Sequence, residues 1–135
     1  MFLFKTSGRT FDSVISNQKH AFAGMPKDWN VGELVLVSKN KVDCSKNEKQ
    51  IQYVMRLMAI RPLEPGESEK YWPGTAGRWR YLFICEDTQR IKQPFDLHEV
   101  LGSRARLYAP VVSFKRFEPE DEILLLQQIE KAGLG

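Results

Sequence analysis

Two cysteines, two histidines and no apolar run approaching the ~20 residues of a membrane helix are the first limits that this 135-residue chain sets on its own function. Cys44 lies in a polar stretch and Cys85 in a strand-like run, and neither belongs to a CxxC or Cys/His spacing that would hold zinc. No metal and no cofactor are expected. The opening Met1-Phe2-Leu3-Phe4 is interrupted by Lys5 and is too short for the apolar region of a secretory signal, so the chain reads as a cytoplasmic protein without a membrane partner.

Catalytic signatures are also missing. The sequence contains no GxSxG, no Walker-type loop, no GxGxxG after a strand and no HExxH. His98 stands between Asp96 and Glu99 in a capped turn and reads as a surface histidine; His20 is the other imidazole. Cys85, inside a strand and without a cationic neighbour, is a poor nucleophile. Glu86 and Asp87, adjacent on a strand, point to opposite faces and do not make an acid pair. The chain is therefore expected to bind rather than to catalyse.

What is present is an ordinary globular composition, 42% hydrophobic and 27% charged, in one domain's length. Residues 1–135 read as a single domain, and the closing "EKAGLG" suits one that continues into a longer chain. The net charge of +3 is unevenly spread. Arg78, Arg80, Arg90, Lys92, Arg104 and Arg106 crowd the second half, whereas Glu118, Glu120, Asp121 and Glu122 open the last segment. A basic side of this kind suits a polyanion, with phosphates as the expected partners of those six cations.

Periodicity and turn residues outline an α+β fold: a short five- or six-stranded barrel with flanking helices. Phe2-Leu3-Phe4 forms the first strand, and Phe11, Val14 and Ile15 fall at helical spacing between Thr10 and Lys19. Residues 21–29 read as loop and 33–37 as a strand. The polar "SKNKVDCSKNEKQ" connects that strand to Ile51–Ile60, where Ile51, Tyr53, Met55, Leu57 and Ala59 alternate onto one face. Residues 78–86 make a fourth strand, Arg90-Ile91-Lys92 a short fifth and 111–114 a sixth. Asp96 caps a short helix that Gly102 closes. The chain ends in a helix with Pro119 and acids in its first turn, Leu124, Leu125 and Ile129 on its apolar face and Gly133 as its stop.

The aromatics carry the functional signal. Phe22, Trp29, Tyr71, Trp72 and Trp79 fall in or beside expected loops, where a wet ring is costly unless it folds onto the core or receives a ligand. Indole faces suit planar guests, a stacked base gaining about 1–3 kcal/mol per ring. Trp72 and Trp79 flank a Pro-Gly-Thr-Ala-Gly linker that reads as flexible, and Trp79 serves equally as a pocket wall or as core.

"FLFKTS" before a helix, "VGELVLVSKNK", and "YWPGTAGRWRYLFICEDTQRIKQPFDL" together resemble the PUA-like superfamily in its EVE and YTH branches. The order of elements agrees over nearly the whole chain, and the detailed likeness lies in the first strand and in Trp72–Leu97. The resemblance implies a module that receives a modified, methylated base flipped into an aromatic pocket. On this view Trp72 is the loop tryptophan and Phe22, or Trp29 under a shifted alignment, a second wall, with Tyr71 and Trp79 beside them. Thr6 and Ser7 would read the base edge. The expected partner is nucleic acid, DNA ahead of RNA, with fusion to or association with a motor or nuclease module as in McrBC-type modification-dependent restriction. Three alternatives stand beside it: an RNA-binding PUA-like domain, a small-molecule or protein-binding barrel, and an ASCH-like hydrolase using Lys5 with Glu33 or Glu86.

Overall fold

Residues 1–40 and 50–135 are described by the computed structural model; residues 41–49, with Cys44 and most of the expected polar connection, lie outside the described residues. The elements are β1 (Phe2–Thr6), α1 (Phe11–Asn17), β2 (Lys19–Phe22), β3 (Glu33–Lys39), β4 (Ile51–Pro62), α2 (Glu67–Tyr71), β5 (Tyr81–Phe95), α3 (Leu97–Leu101), a 3-10 turn (Gly102–Leu107), β6 (Phe114–Arg116) and α4 (Pro119–Ala132). They build an α+β fold around one six-stranded sheet in the order β2-β5-β4-β3-β1-β6. Among the described residues only the β1–β3 pair is parallel; the others are antiparallel.

β1 is buried along its whole length, as an interior strand covered on both faces must be. Its alternation divides the core in two. Met1 and Leu3 face the helical layer with Leu36, Phe95, Leu125 and Ile129, while Phe2 and Phe4 face the concave side with Phe22, Val35, Met55 and Phe83. On that concave side the sheet curls until its two edges meet. The Phe114 ring of β6 lies 5.2 Å from Phe22 of β2 and 5.3 Å from Phe83 of β5, and Phe4 lies 5.2 Å from Phe22. Burying each such ring contributes roughly 1.5–3 kcal/mol, with edge-to-face geometry adding somewhat more.

One side-chain hydrogen bond reinforces this closure. The Lys5 amide donates to Ser113 O (2.7 Å), where the β6 ladder runs out, and the Lys5 carbonyl accepts from His20 Nε2 at 3.0 Å. His20 Nδ1 accepts the Ala21 amide at 2.7 Å, which fixes the neutral tautomer with its proton on Nε2. An imidazole from one edge strand thus takes the position of a missing ladder partner at the other edge. Burial pushes the His20 pKa down to about 4, against the hydrogen bond to Lys5 O, which favours the charged ring.

The helical layer is fastened by Asp121, which turns inward from the first turn of α4 and is fully buried. It accepts from Arg104 Nε (2.6 Å), Arg104 Nη2 (3.0 Å) and the Tyr108 hydroxyl (2.5 Å), and that hydroxyl accepts the Glu118 amide at 3.0 Å. The Arg104 guanidinium holds the Asp121 carboxyl below the ordinary aspartate range, while burial and the bond to Asp121 push Tyr108 up to about 12.

Several local expectations change. β2 is a strand where the sequence reads as the end of a helix and a loop: Gln18, left-handed at φ 54°, stops α1, and four residues then pair with β5. The expected fourth and fifth strands are one 15-residue strand, carried through its bend by Asp87 at φ 57°. Three register shifts in β4 break its alternation, so that Ile51 and Val54 join the helical side whereas Tyr53, Met55 and Leu57 face the concave side. Residues 111–113 precede β6 rather than form it, and Leu124 is 41% exposed while Leu125 and Ile129 carry the buried face of α4.

Two outcomes follow. Asp121→Ala, which takes the acceptor from the buried Tyr108 hydroxyl and leaves Arg104 to Glu120, lowers unfolding stability by about 1–3 kcal/mol in urea. Because the folded pKa of Asp121 is depressed, its contribution is fully present above the ordinary aspartate value of about 3.9 and is lost as pH falls below it. For His20 the unfolded state takes up protons first: stability falls as pH drops from 6.5 towards 4, by about 3 kcal/mol from this group. His20→Gln, which keeps an Nε2 donor without the titration, flattens the stability profile over that range; an unchanged slope would show that His20 is not the group responsible.

Candidate functional site

Where the curled sheet closes, the chain leaves a cavity of about 560 Å³. This is within the roughly 300–1,000 Å³ span of ligand sites. One side is the end of β1 and the turn after it, Lys5 to Thr10; the opposite side is β2 from His20 to Phe22; the roof is the loop from Tyr71 to Trp79. All six residues expected to form a base pocket, Thr6, Ser7, Phe22, Tyr71, Trp72 and Trp79, line this cavity.

The roof is held rather than flexible. Ser68 Oγ and Thr75 Oγ1 lie 2.7 Å apart, Ser68 Oγ donates to Thr75 O (3.0 Å), and Thr75 Oγ1 also donates to Trp72 O. The Glu69 carboxylate accepts the amides of Gly74 (2.9 Å) and Ala76 (3.0 Å), closing a turn that needs positive φ at Gly74 (85°) and Gly77 (75°). Those amide bonds hold the Glu69 carboxyl below the ordinary glutamate range. A bidentate pair from Arg61 to Glu67, at 2.6 and 2.7 Å, ties the start of α2 to β4.

Its two tryptophans have different situations. Trp72 is 2% exposed and packs with Ala21 and Leu82; its Nε1 has no hydrogen-bond partner among the described residues. Trp79 is half-buried, meets Trp72 edge to face at 5.4 Å and carries the Arg78 guanidinium 5.5 Å above its ring. Trp79 lies ahead of β5 and packs on the Leu82 and Ile84 side rather than with Tyr81 and Phe83. Trp29 packs against the concave core and is not among the described lining residues.

The wall beneath β1 is polar. Thr6 Oγ1 lies 2.6 Å and Ser7 Oγ 2.9 Å from Thr10 Oγ1, with Ser7 O a further acceptor 3.4 Å from Thr10. Thr10 is the N-cap of α1, yet its side chain makes no capping hydrogen bond. A threonine cap typically adds about 1 kcal/mol to a helix, so the diversion of this hydroxyl to its neighbours has a cost. Ser13 Oγ donates to Tyr71 O at 3.1 Å and so joins α1 to the roof.

Charge among the cavity's described lining residues has one sign. Lys5, Arg9 and Arg78 line it, and no aspartate or glutamate is among its described lining residues. Of the six cations expected at phosphates, Arg78 alone reaches it. Arg80 is exposed just before β5, with its amide bonded to Phe22 O; Arg90 pairs across the ladder with Tyr53; the Lys92 amide bonds to Gly133 O beside the end of α4. Arg104 is engaged with Asp121 and Glu120, and Arg106 lines a separate cavity of about 420 Å³ that shares Lys5. Glu33 takes the Met1 ammonium at 2.9 Å at the far end of β1 from Lys5, and Glu86 pairs across the ladder with Arg56.

Sequence reasoning missed His20, Thr10, Arg9 and Ser13 as lining residues. The spacing Thr6-Ser7-Thr10 was the available signal for the hydroxyls. His20 had none, because only the curl of the sheet brings it opposite Lys5.

The chain matches no family model and no curated protein sequence. Among solved structures it is similar to ASCH from Zymomonas mobilis (TM-score 0.59, 14% identity, 93% of each chain covered). It is likewise similar to Rpa0253 from Rhodopseudomonas palustris (0.58, 14%, 98% of this chain and 94% of that one) and to the DUF55 domain of human thymocyte nuclear protein 1 (0.54, 13%, 96% and 98%). At such identities the likeness is one of fold, and the fold is PUA-like.

Proposed function

We propose that this chain is a nucleic-acid-binding module that takes one modified base, swung out of its stack, into the cavity at the closure of the sheet. The observation that carries the reading is the lining itself: aromatic rings above, hydroxyls below, three cations and no described carboxylate. Trp79, half-buried, offers its ring to the guest, and Trp72 backs it. Arg9 and Arg78, both exposed, meet the phosphates on either side. Unstacking costs a few kcal/mol, and stacking and edge contacts within the cavity offset it. By resemblance to EVE and YTH domains the modification is a methyl group, the strand DNA ahead of RNA, and the setting a recognition module joined to a motor or nuclease, as in McrBC-type systems.

The reading is of binding without turnover, since both ring nitrogens of His20 are engaged with the backbone. ASCH-like hydrolysis is the second reading, favoured by the buried Lys5 between the two cavities. Turnover of modified nucleosides that disappears in Lys5→Ala would establish it.

In a fluorescence titration, a strand with a methylated base binds more tightly than its unmodified and abasic counterparts, and Trp79→Ala weakens the methylated complex by roughly 5- to 150-fold. Contact of Arg9 and Arg78 with two phosphates lowers affinity roughly tenfold between 50 and 200 mM salt. Equal affinity for all three strands would sink the base-cavity reading. Glu69→Ala, which frees the roof, costs roughly two- to tenfold in affinity while leaving the thermal midpoint nearly unchanged; undiminished affinity would mean that the turn does not position Trp79.

A further inference from the structure

The three hydroxyls beneath β1 form a chain whose polarity is reversible. Thr10 Oγ1 is central, with Thr6 Oγ1 at 2.6 Å on one side and Ser7 Oγ at 2.9 Å on the other, and in each contact either oxygen can donate. Each hydroxyl owns one proton. If the bonds run from Thr6 through Thr10 to Ser7, Ser7 keeps a free hydrogen and Thr6 presents only lone pairs. If they run from Ser7 through Thr10 to Thr6, the ends exchange roles. No charged group is needed to set either direction, and no described carboxylate lines the cavity.

The hydrogen-bonding edges of nucleobases differ in just this respect. Cytosine and adenine present an amino donor beside a ring-nitrogen acceptor; uracil and hypoxanthine present a carbonyl acceptor beside a ring N–H donor. A site with fixed donors rejects the wrong edge because its buried groups are left unpaired. A chain of three hydroxyls pairs with either edge by turning all its protons together. Thr10, which touches both ends and gives up its helix-capping bond, makes this possible.

Resting on the base-cavity reading above, we propose that Thr6, Thr10 and Ser7 form a two-way edge reader, with Thr10 as a specificity-determining residue. The site then takes amino-edged and carbonyl-edged bases alike and owes its selectivity to the modification and to ring shape. Its ligand class is a modified base of either edge type.

The test uses single strands differing at one central position: 5-hydroxymethylcytosine against 5-hydroxymethyluracil, 5-methylcytosine against 5-methyluracil, and an abasic site. With the parent chain, the two members of each pair differ by less than tenfold in affinity. Thr10→Val cuts the chain and leaves Ser7 O, 3.5 Å away, as the acceptor for the Thr6 proton; Thr6 then presents only lone pairs, and the amino-edged member binds tenfold or more tightly than its carbonyl-edged partner, within the roughly 5- to 150-fold value of an edge contact. Thr10→Ser, which keeps the hydroxyl, brings them together again. A parent that separates the members by tenfold or more overturns the two-way reader, as does a folded Thr10→Val protein that still holds them together. If no strand binds more tightly than the abasic one, the base-cavity reading itself falls and takes this proposal with it.

Discussion

Four phenylalanine rings hold the two edges of an open sheet against each other. Phe4 on β1, Phe22 on β2, Phe83 on β5 and Phe114 on β6 come from strands at opposite ends of the order β2-β5-β4-β3-β1-β6, and their contacts of 4.9 to 5.5 Å require the sheet to curl. Among the described residues no ladder joins β2 to β6. The rings supply the energy of closure and His20 supplies its register, bonding Lys5 O where β6 ends. A polar ring in that position is tolerable because it is neutral and both its nitrogens are engaged.

This mode of closure explains the cavity. A ladder between the edges would fill the gap with backbone; rings and one imidazole leave room beyond them, at the end of β1. The chain then covers the gap with a segment whose polar groups are largely spoken for, through Ser68, Glu69 and Thr75. The unpartnered indole nitrogen of Trp72 is the exception in that roof. The opposite wall is less committed, since Thr6, Ser7 and Thr10 bond chiefly to one another. A rigid aromatic roof over an adaptable hydroxyl floor suits a guest held by stacking and read along one edge.

Much of this was legible in the residues. The buried run Phe2-Leu3-Phe4, the acidic Pro119 helix start and the aromatic density around Trp72 led to an α+β sheet with a C-terminal helix and to a group of residues that does share one cavity. The failures have physical causes. β2 is too short to show a period, and its neighbour in the sheet lies about 60 residues away in sequence. The alternation of β4 is reset by bulges that no composition rule marks. The basic stretch counted charges without knowing their partners: Arg104 answers a buried aspartate, and Arg90 and Lys92 lie on a different part of β5 from the cavity. Burial also separates the two tryptophans in a way the sequence does not show: Trp72, expected to meet the guest, is more enclosed than Trp79, which reads equally as pocket wall or core.

The central claim is that the cavity at the closure is where a base enters, and the chain's three tryptophans provide their own control. Nitrogen-15 spectra recorded while a strand bearing a methylated base is added should shift the indole N–H signals of Trp72 and Trp79 in step with occupancy, leaving that of Trp29 in place. A saturable complex in which Trp72 and Trp79 stay still, or in which Trp29 alone moves, would contradict the account.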